Sequence, residues 1–280
     1  MTLYNEAITL TFGDQAENHK GMEKYGKLAD KGISINELHS IKEWFVTNGA
    51  ITKLIEIHTL LPEDKQNDNG ACILVIKNGI NVLLKNNDND NDNDNNDNDN
   101  VNPVNWSNLL MGEQAKLKLT RDTKAYMYGR VVNKKARHNL CFSNVHLEPN
   151  YEAGRGMVYA FEEVPILNMV RKKLGQIGNK KLENLQIEGN YYYDPNKCGI
   201  GWHGDSERRI VVGLRLGTSI PLCYRWYLDS KPVSDILTIN NLEHGDIYIM
   251  SEKAVGTDWK KKLIYTLRHS AGCKKFTNGE

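Results

Sequence analysis

Residues 190–205 read N-Y-Y-Y-D-P-N-K-C-G-I-G-W-H-G-D. The stretch ends in His203 and Asp205 with a single glycine between them. On an extended segment, residues two apart point to the same side. One imidazole nitrogen and one carboxylate oxygen are thereby offered to a single cation, and Gly204 adds no side chain to crowd it. A second histidine from elsewhere would complete the two-histidine, one-carboxylate face of a non-haem Fe(II) oxygenase, which leaves positions open for cosubstrate and oxygen. Taken alone, H-x-D also describes a loop with a hydrogen-bonded His–Asp pair.

The surroundings carry more. Asn190-Tyr191-Tyr192 lies a short turn upstream. Downstream, an apolar strand is predicted over Ile210–Leu216, closed by Gly217. Gly245-Asp246 opens another at Ile247–Met250, and Tyr265-Thr266-Leu267-Arg268 forms a last one. In this order the motifs resemble the AlkB family of Fe(II)/2-oxoglutarate dioxygenases: N-x-Y, H-x-D, a strand ending in L-G, G-D with an apolar strand, and a terminal T-x-R. The resemblance runs from Lys124 to Phe276. It implies an α+β, mainly β chain whose core is a double-stranded β-helix (jelly roll) with flanking helices. It also implies Fe(II) and 2-oxoglutarate as cofactors, and hydroxylation or demethylation of a nucleic-acid base flipped out of its stack. His203 and Asp205 would be the catalytic metal ligands. Asn190 and Tyr192 would hydrogen-bond 2-oxoglutarate, and Arg268 would grip a carboxylate.

The chain departs from that pattern at the distal histidine. Where the family places it, this sequence has Thr257-Asp258-Trp259-Lys260-Lys261, and a protonated lysine cannot ligate iron. Two histidines follow Asp205. His244, beside the Gly245-Asp246 turn, reads as structural. His269, directly after Arg268, is the candidate third ligand, although strand alternation opposes it: with Arg268 facing in, His269 faces out unless a bulge intervenes. Without His269 the site would have two protein ligands and water, or no metal. The far carboxylate of 2-oxoglutarate would fall to Lys261, Lys262 or Arg268. Arg208 and Arg209, trailing the H-x-D, could reach the cosubstrate or a phosphate.

The chain has 280 residues, 40% hydrophobic and 25% charged, enough apolar matter for a real core. A net charge of +1 provides no global field toward nucleic acid or membrane. A basic patch must therefore be local, and Tyr128–Phe142 (Y-G-R-V-V-N-K-K-A-R-H-N-L-C-F) supplies one. Arg130, Lys134, Arg137 and Tyr128 are its candidate nucleic-acid contacts, by phosphate pairing and base stacking. By resemblance this segment is part of a lid over the target nucleotide. A solvated surface strand and turn is the plainer account. The five cysteines are scattered without a C-x-x-C pair, which suggests neither a disulfide framework nor a structural zinc. With no signal peptide or membrane span in view, the expected compartment is cytoplasmic or nuclear.

Three regions are expected: an N-terminal α/β region over 1–85, a disordered Asn/Asp-rich insertion over 86–102, and the oxygenase domain over 103–280. Ala7–Phe12 and Ala71–Ile76 read as strands. Ile33–Phe45, capped by Ser34, reads as a helix. So do Met22–Leu28, Ala50–Leu61 with His58 packed on its apolar stripe, Leu109–Leu119 and Leu167–Leu174. Asn78-Gly79 invites a tight turn. Two rival functions stand beside the nucleic-acid oxygenase. One is the same chemistry on a protein or small molecule; the other is a metal-free jelly-roll binding module.

Overall fold

Strand β1 (Ala7–Gly13) runs through the interior of the larger of two main sheets, and its residues alternate between two environments. Ile8, Leu10 and Phe12 enter one hydrophobic core, while Thr9 and Thr11 face a cavity on the other side. The computed structural model describes residues 4–85 and 103–279. The insertion expected at 86–102 lies outside the described residues.

After β1 come β2 (Gln15–Glu17), β3 (Lys24–Gly26), β4 (Ile51–Glu56) and β5 (Cys72–Lys77). The middle of the chain supplies β6 (Lys124–Met127), β7 (Arg130–Asn133), β8 (His138–Ser143), β9 (Val158–Ala160) and β10 (Gln186–Tyr192). The last third supplies β11 (Gly199–His203), β12 (Val212–Gly217), β13 (Leu222–Leu228), β14 (Lys231–Pro232), β15 (Leu237–Ile239), β16 (Ile247–Met250) and β17 (Thr266–Gly272). The larger sheet has the order β4-β5-β16-β12-β1-β10-β8-β9 and is antiparallel except for β8–β9. The smaller runs β11-β17-β13-β14, with β15 also on β13. The protein is therefore mixed α+β with a mainly β core. Residues 4–85 and 103–279 share one sheet: β1 is hydrogen-bonded between β10 and β12.

Helices Ile35–Thr47, Trp106–Lys116 and Pro165–Leu174 cover one face of the larger sheet, burying Leu38, Ile41, Phe45, Leu110, Leu167 and Val170 in the core that Ile8, Leu10 and Phe12 enter. A second core, including Ile73, Val75, Tyr224, Trp226, Tyr248 and Leu267, lies between the two sheets. Helix Ile35–Thr47 starts as the sequence predicts. The Ser34 hydroxyl accepts from the Glu37 amide and the Glu37 carboxylate accepts from the Ser34 amide, a reciprocal cap. Ser34→Ala is expected to cost about 1 kcal/mol of unfolding free energy, read as a lower urea midpoint at unchanged m-value.

Two predicted helices are strands. Ala50–Leu61 forms β4 and then a 3₁₀ turn, Ile57–Leu60. Helical spacing of Ile51, Leu54, Ile55 and His58 is outweighed by the pairing of β-branched residues with β5 from Ile51–Lys77 to Glu56–Cys72. His58 remains structural, with Nδ1 3.1 Å from the Ala71 carbonyl oxygen. Met22–Leu28 contains β3, paired with β2, and Gly21 and Gly26 both sit at positive φ, which no helix accommodates. At Asn78-Gly79 the expected tight turn is instead the start of a short helix (Gly79–Leu84), which Asn78, in the left-handed region, precedes without a side-chain cap. Among the described residues no helix is long and apolar enough to cross a membrane.

Candidate metal centre and its cavity

A cavity of about 520 Å³ opens between the facing sides of the two sheets, within the size range of small-molecule sites. The larger sheet contributes Thr9, Thr11, Glu188, Asn190, Tyr192, Arg215 and Tyr248; the smaller contributes Ile200, His203, Leu222, His269 and Ala271. Its rim is formed by the β2–β3 connection, including His19 and Lys20, and by Trp259 and Lys260.

His203, Asp205 and His269 meet in this cavity, each offering a ligand atom within 4.8 Å of the others. His203 Nε2 lies 3.4 Å and His269 Nε2 3.8 Å from Asp205 Oδ1, and the two rings are 4.4 Å apart. His203 and His269 are direct partners across β11 and β17, where the register shifts between Ile200 and His203. The irregularity is thus on β11, and β17 alternates regularly. His269 faces in with Leu267 and Ala271, and Arg268 faces out. His203 Nδ1 is 2.7 Å from the Gly201 carbonyl. The Gly201 carbonyl accepts from Nδ1–H, and Nε2 is the ring nitrogen turned toward Asp205. Burial first, and then the neighbouring His203, push His269 down to about 3, so it stays a neutral imidazole. Burial alone would raise Asp205; its hydrogen bond to His203 and the charge of Arg208 more than offset this and hold it below the usual carboxylate range. Gly204 is required for a different reason from the one the sequence suggests. A Cβ there would come within 2.1 Å of the Gly256 carbonyl oxygen and 2.8 Å of Trp259, so glycine lets that loop close against the site.

The register of the larger sheet builds a second feature. Asn190, Thr9 and Arg215 are consecutive cross-strand partners. Arg215 is 3% exposed, yet among the described residues its Nε and Nη1 have no hydrogen-bond partner, and neither has Thr9 Oγ1. Its guanidinium carbon sits 5.8 Å over the Tyr248 ring, which approaches so closely that a Cβ on Gly213 would lie 2.0 Å from it. Buried donors without partners are costly. Adjacent to one another on a cavity wall, they are a cradle for an anion such as a carboxylate. The sequence reading missed Arg215. Its signal was an arginine inside an otherwise apolar strand, V-G-L-R-L-G, where a charge is buried only with a task or a partner.

The other predicted site residues divide. Tyr192 and Asn190 both line the cavity. The Asn190 amide, however, is already engaged. Its Oδ1 accepts from Arg137 Nε and from Asn139 Nδ2 (2.9 Å), and its Nδ2 donates to Glu188 (3.0 Å). Arg268 is not in the cavity. Its guanidinium lies over Tyr227 at 4.1 Å and Trp259 at 5.1 Å, behind the wall. Lys261 and Lys262 are exposed and away from it. Arg208 lines the cavity, whereas Arg209 pairs with Glu252. His244 accepts from the Gly217 amide and stacks on Tyr4, a structural role.

The basic segment does not form one patch. Arg137 lines the cavity. Lys134 is half-buried, its ammonium donating to Asn18 and Asn139, and desolvation pushes it down to about 8. With its donors taken, Lys134 is no phosphate contact. Arg130 is exposed on the β6–β7 hairpin, whose turn carries Tyr128, 88% exposed, and Gly129 at positive φ.

No family model matches the chain. It is 48% identical over 277 residues to "Uncharacterized protein R156" of Acanthamoeba polyphaga mimivirus, an alignment covering 99% of each chain. The chain belongs to one family with that mimivirus protein.

Proposed function

We propose that the chain is an Fe(II)/2-oxoglutarate-dependent dioxygenase on a double-stranded β-helix, acting on a nucleic-acid base. One observation carries the reading. A two-histidine, one-carboxylate triad and an unpaired buried arginine face the same cavity from opposite sheets. The triad has the donor set that suits non-haem iron, and Arg215 with Thr9 has the donors that a dicarboxylate's far end requires. Bound there, the two groups would supply oxidative chemistry that consumes dioxygen, one oxygen atom going into succinate as the 2-oxo acid loses CO₂ and the other into a substrate C–H bond. The protein's residues bind, orient and exclude water. His203, Asp205 and His269 would hold the metal, Arg215 and Thr9 the cosubstrate carboxylate, and Tyr192 lies at the same wall. Trp259, Lys260, Lys20 and Arg137 would receive the base and its phosphates at the rim. The metal-free alternative rested on a lysine of the Lys260-Lys261 pair standing where a ligand is expected, and His269 would supply that donor instead. Substrates other than nucleic acid retain one argument: Glu17, Glu188 and Glu207 also face the cavity and suit a cationic side chain.

The test is succinate release by purified, Fe(II)-loaded protein with 2-oxoglutarate. Stimulation by N-methylated oligonucleotides, with formaldehyde released in equal amount, is the expected result. Stimulation by lysine- or arginine-bearing peptides and not by oligonucleotides would move the substrate to protein. Absence of a visible charge-transfer band on anaerobic addition of Fe(II) and 2-oxoglutarate would remove the oxygenase reading altogether.

A further inference from the structure

The two oxygens of the Asp205 carboxylate have different neighbours. Oδ1 faces both histidines. Oδ2 turns the other way, 3.9 Å from Arg208 Nε. Arg208 is 3% exposed. Its Nη2 donates to Glu188 Oε2 at 2.5 Å and to Glu207 Oε1 at 3.2 Å, while its Nε has no hydrogen-bond partner among the described residues. Glu188 is held in turn, its other oxygen accepting from Asn190 Nδ2, and Asn190 accepts from Arg137 on the cavity wall. A chain of buried polar contacts therefore runs from Arg137 through Asn190, Glu188 and Arg208 to Asp205. It spans both sheets, because Glu188 and Asn190 belong to β10 while Asp205 follows β11.

We propose that Arg208, fixed by Glu188, is a positioning residue that reserves Oδ2 and makes Asp205 a one-oxygen ligand. The inference rests on reading the triad as a metal centre. A carboxylate free to rotate beside a dication can bind through both oxygens and occupy one more coordination position. A site that must take a chelating cosubstrate and a third molecule needs that position open. A buried guanidinium on the far side of the carboxylate draws Oδ2 away from the metal and sets the plane of the group, as supporting residues do around other metal ligands. This also accounts for Asn190: its amide is engaged in holding Glu188, so its part is to support the chain of contacts.

The experiment is titration of the metal-free full-length protein with Co(II), without 2-oxo acid or oxygen, following affinity and the visible d–d spectrum. Arg208→Met is expected to weaken Co(II) binding roughly 10–100-fold and to alter the spectrum as the second oxygen enters the coordination sphere. Arg208→Lys, which keeps the cation, should recover most of the affinity. Because Arg208→Met leaves Glu188 buried without its partner and endangers folding, Glu188→Gln/Arg208→Met is made as well. It should fold and show the same weakened affinity and altered spectrum. A folded double variant with wild-type affinity and spectrum overturns the positioning role and leaves the metal centre standing. No Co(II) uptake by the wild-type protein overturns both.

Discussion

Replacing His269 by alanine is expected to abolish Fe(II) binding and with it all succinate release, while Lys260→Ala leaves metal affinity unchanged. The contrast is direct because the sequence motif points to the Trp259-Lys260-Lys261 stretch, of which Lys260 lines the cavity, and the geometry to the histidine. His269 is buried, faces Asp205 Oδ1 at 3.8 Å and packs its ring against His203. Lys260 lies at the rim, its ammonium 5.5 Å over the Trp259 ring. Loss of a residue that merely supports a ligand costs roughly 10–100-fold in metal affinity, and loss of one of three protein ligands should exceed that. Fold loss is not the expected cause. His269 lies beside the Ala254 backbone, which accepts from its ring, so alanine gives up that one contact, and thermal unfolding of the metal-free variant should remain cooperative. The measurements are metal content after anaerobic reconstitution and Fe(II) affinity by titration. Full metal occupancy in His269→Ala, or loss of metal in Lys260→Ala, would move the third ligand elsewhere.

How much of this was legible in the sequence depends on which interaction fixes each residue. His203 and Asp205 could be read because the spacing that unites them is local. Helix Ile35–Thr47 could be read because its cap and apolar face lie within its own length. β4 could not, since its partner β5 begins about twenty residues later and pairing, not periodicity, decides it. The direction of Arg268 and His269 was open for a related reason: alternation says that they face opposite ways, and only the neighbouring strands say which faces in. Tyr224 and His203 flank His269 on either side and settle it. β1 looked like part of a separate N-terminal unit because nothing in A-I-T-L-T-F reveals that strands nearly two hundred residues away will enclose it. The same distance hid the alignment of Asn190, Thr9 and Arg215.

Arg215→Met is expected to remove 2-oxoglutarate binding while leaving the metal site intact. Truncating one member of a buried charged pair costs about 2–5 kcal/mol, roughly 30- to 5,000-fold in affinity, and should appear as a raised KM for 2-oxoglutarate with unchanged Fe(II) affinity. Arg215→Lys should recover little, because an ammonium cannot reproduce two parallel guanidinium donors. Arg268→Ala, at the position the family motif favours, should leave the KM for 2-oxoglutarate near wild type, since that guanidinium is stacked between Tyr227 and Trp259 outside the cavity. A second readout separates a binding role from a structural one. In the ligand-free protein Arg215 is buried with Nε and Nη1 unpaired, a cost that folding bears without return. Methionine removes that cost, so the ligand-free variant should melt at the wild-type temperature or above it. A structural arginine predicts the reverse, a lower melting temperature. What Arg215→Met should lose is the rise in melting temperature that saturating 2-oxoglutarate gives the wild type, because a ligand stabilises only the fold that binds it. A variant that melts early and still responds to 2-oxoglutarate would place the cosubstrate's carboxylate on another residue of the cavity, whose lining also includes the cations Lys24, Arg137 and Arg208.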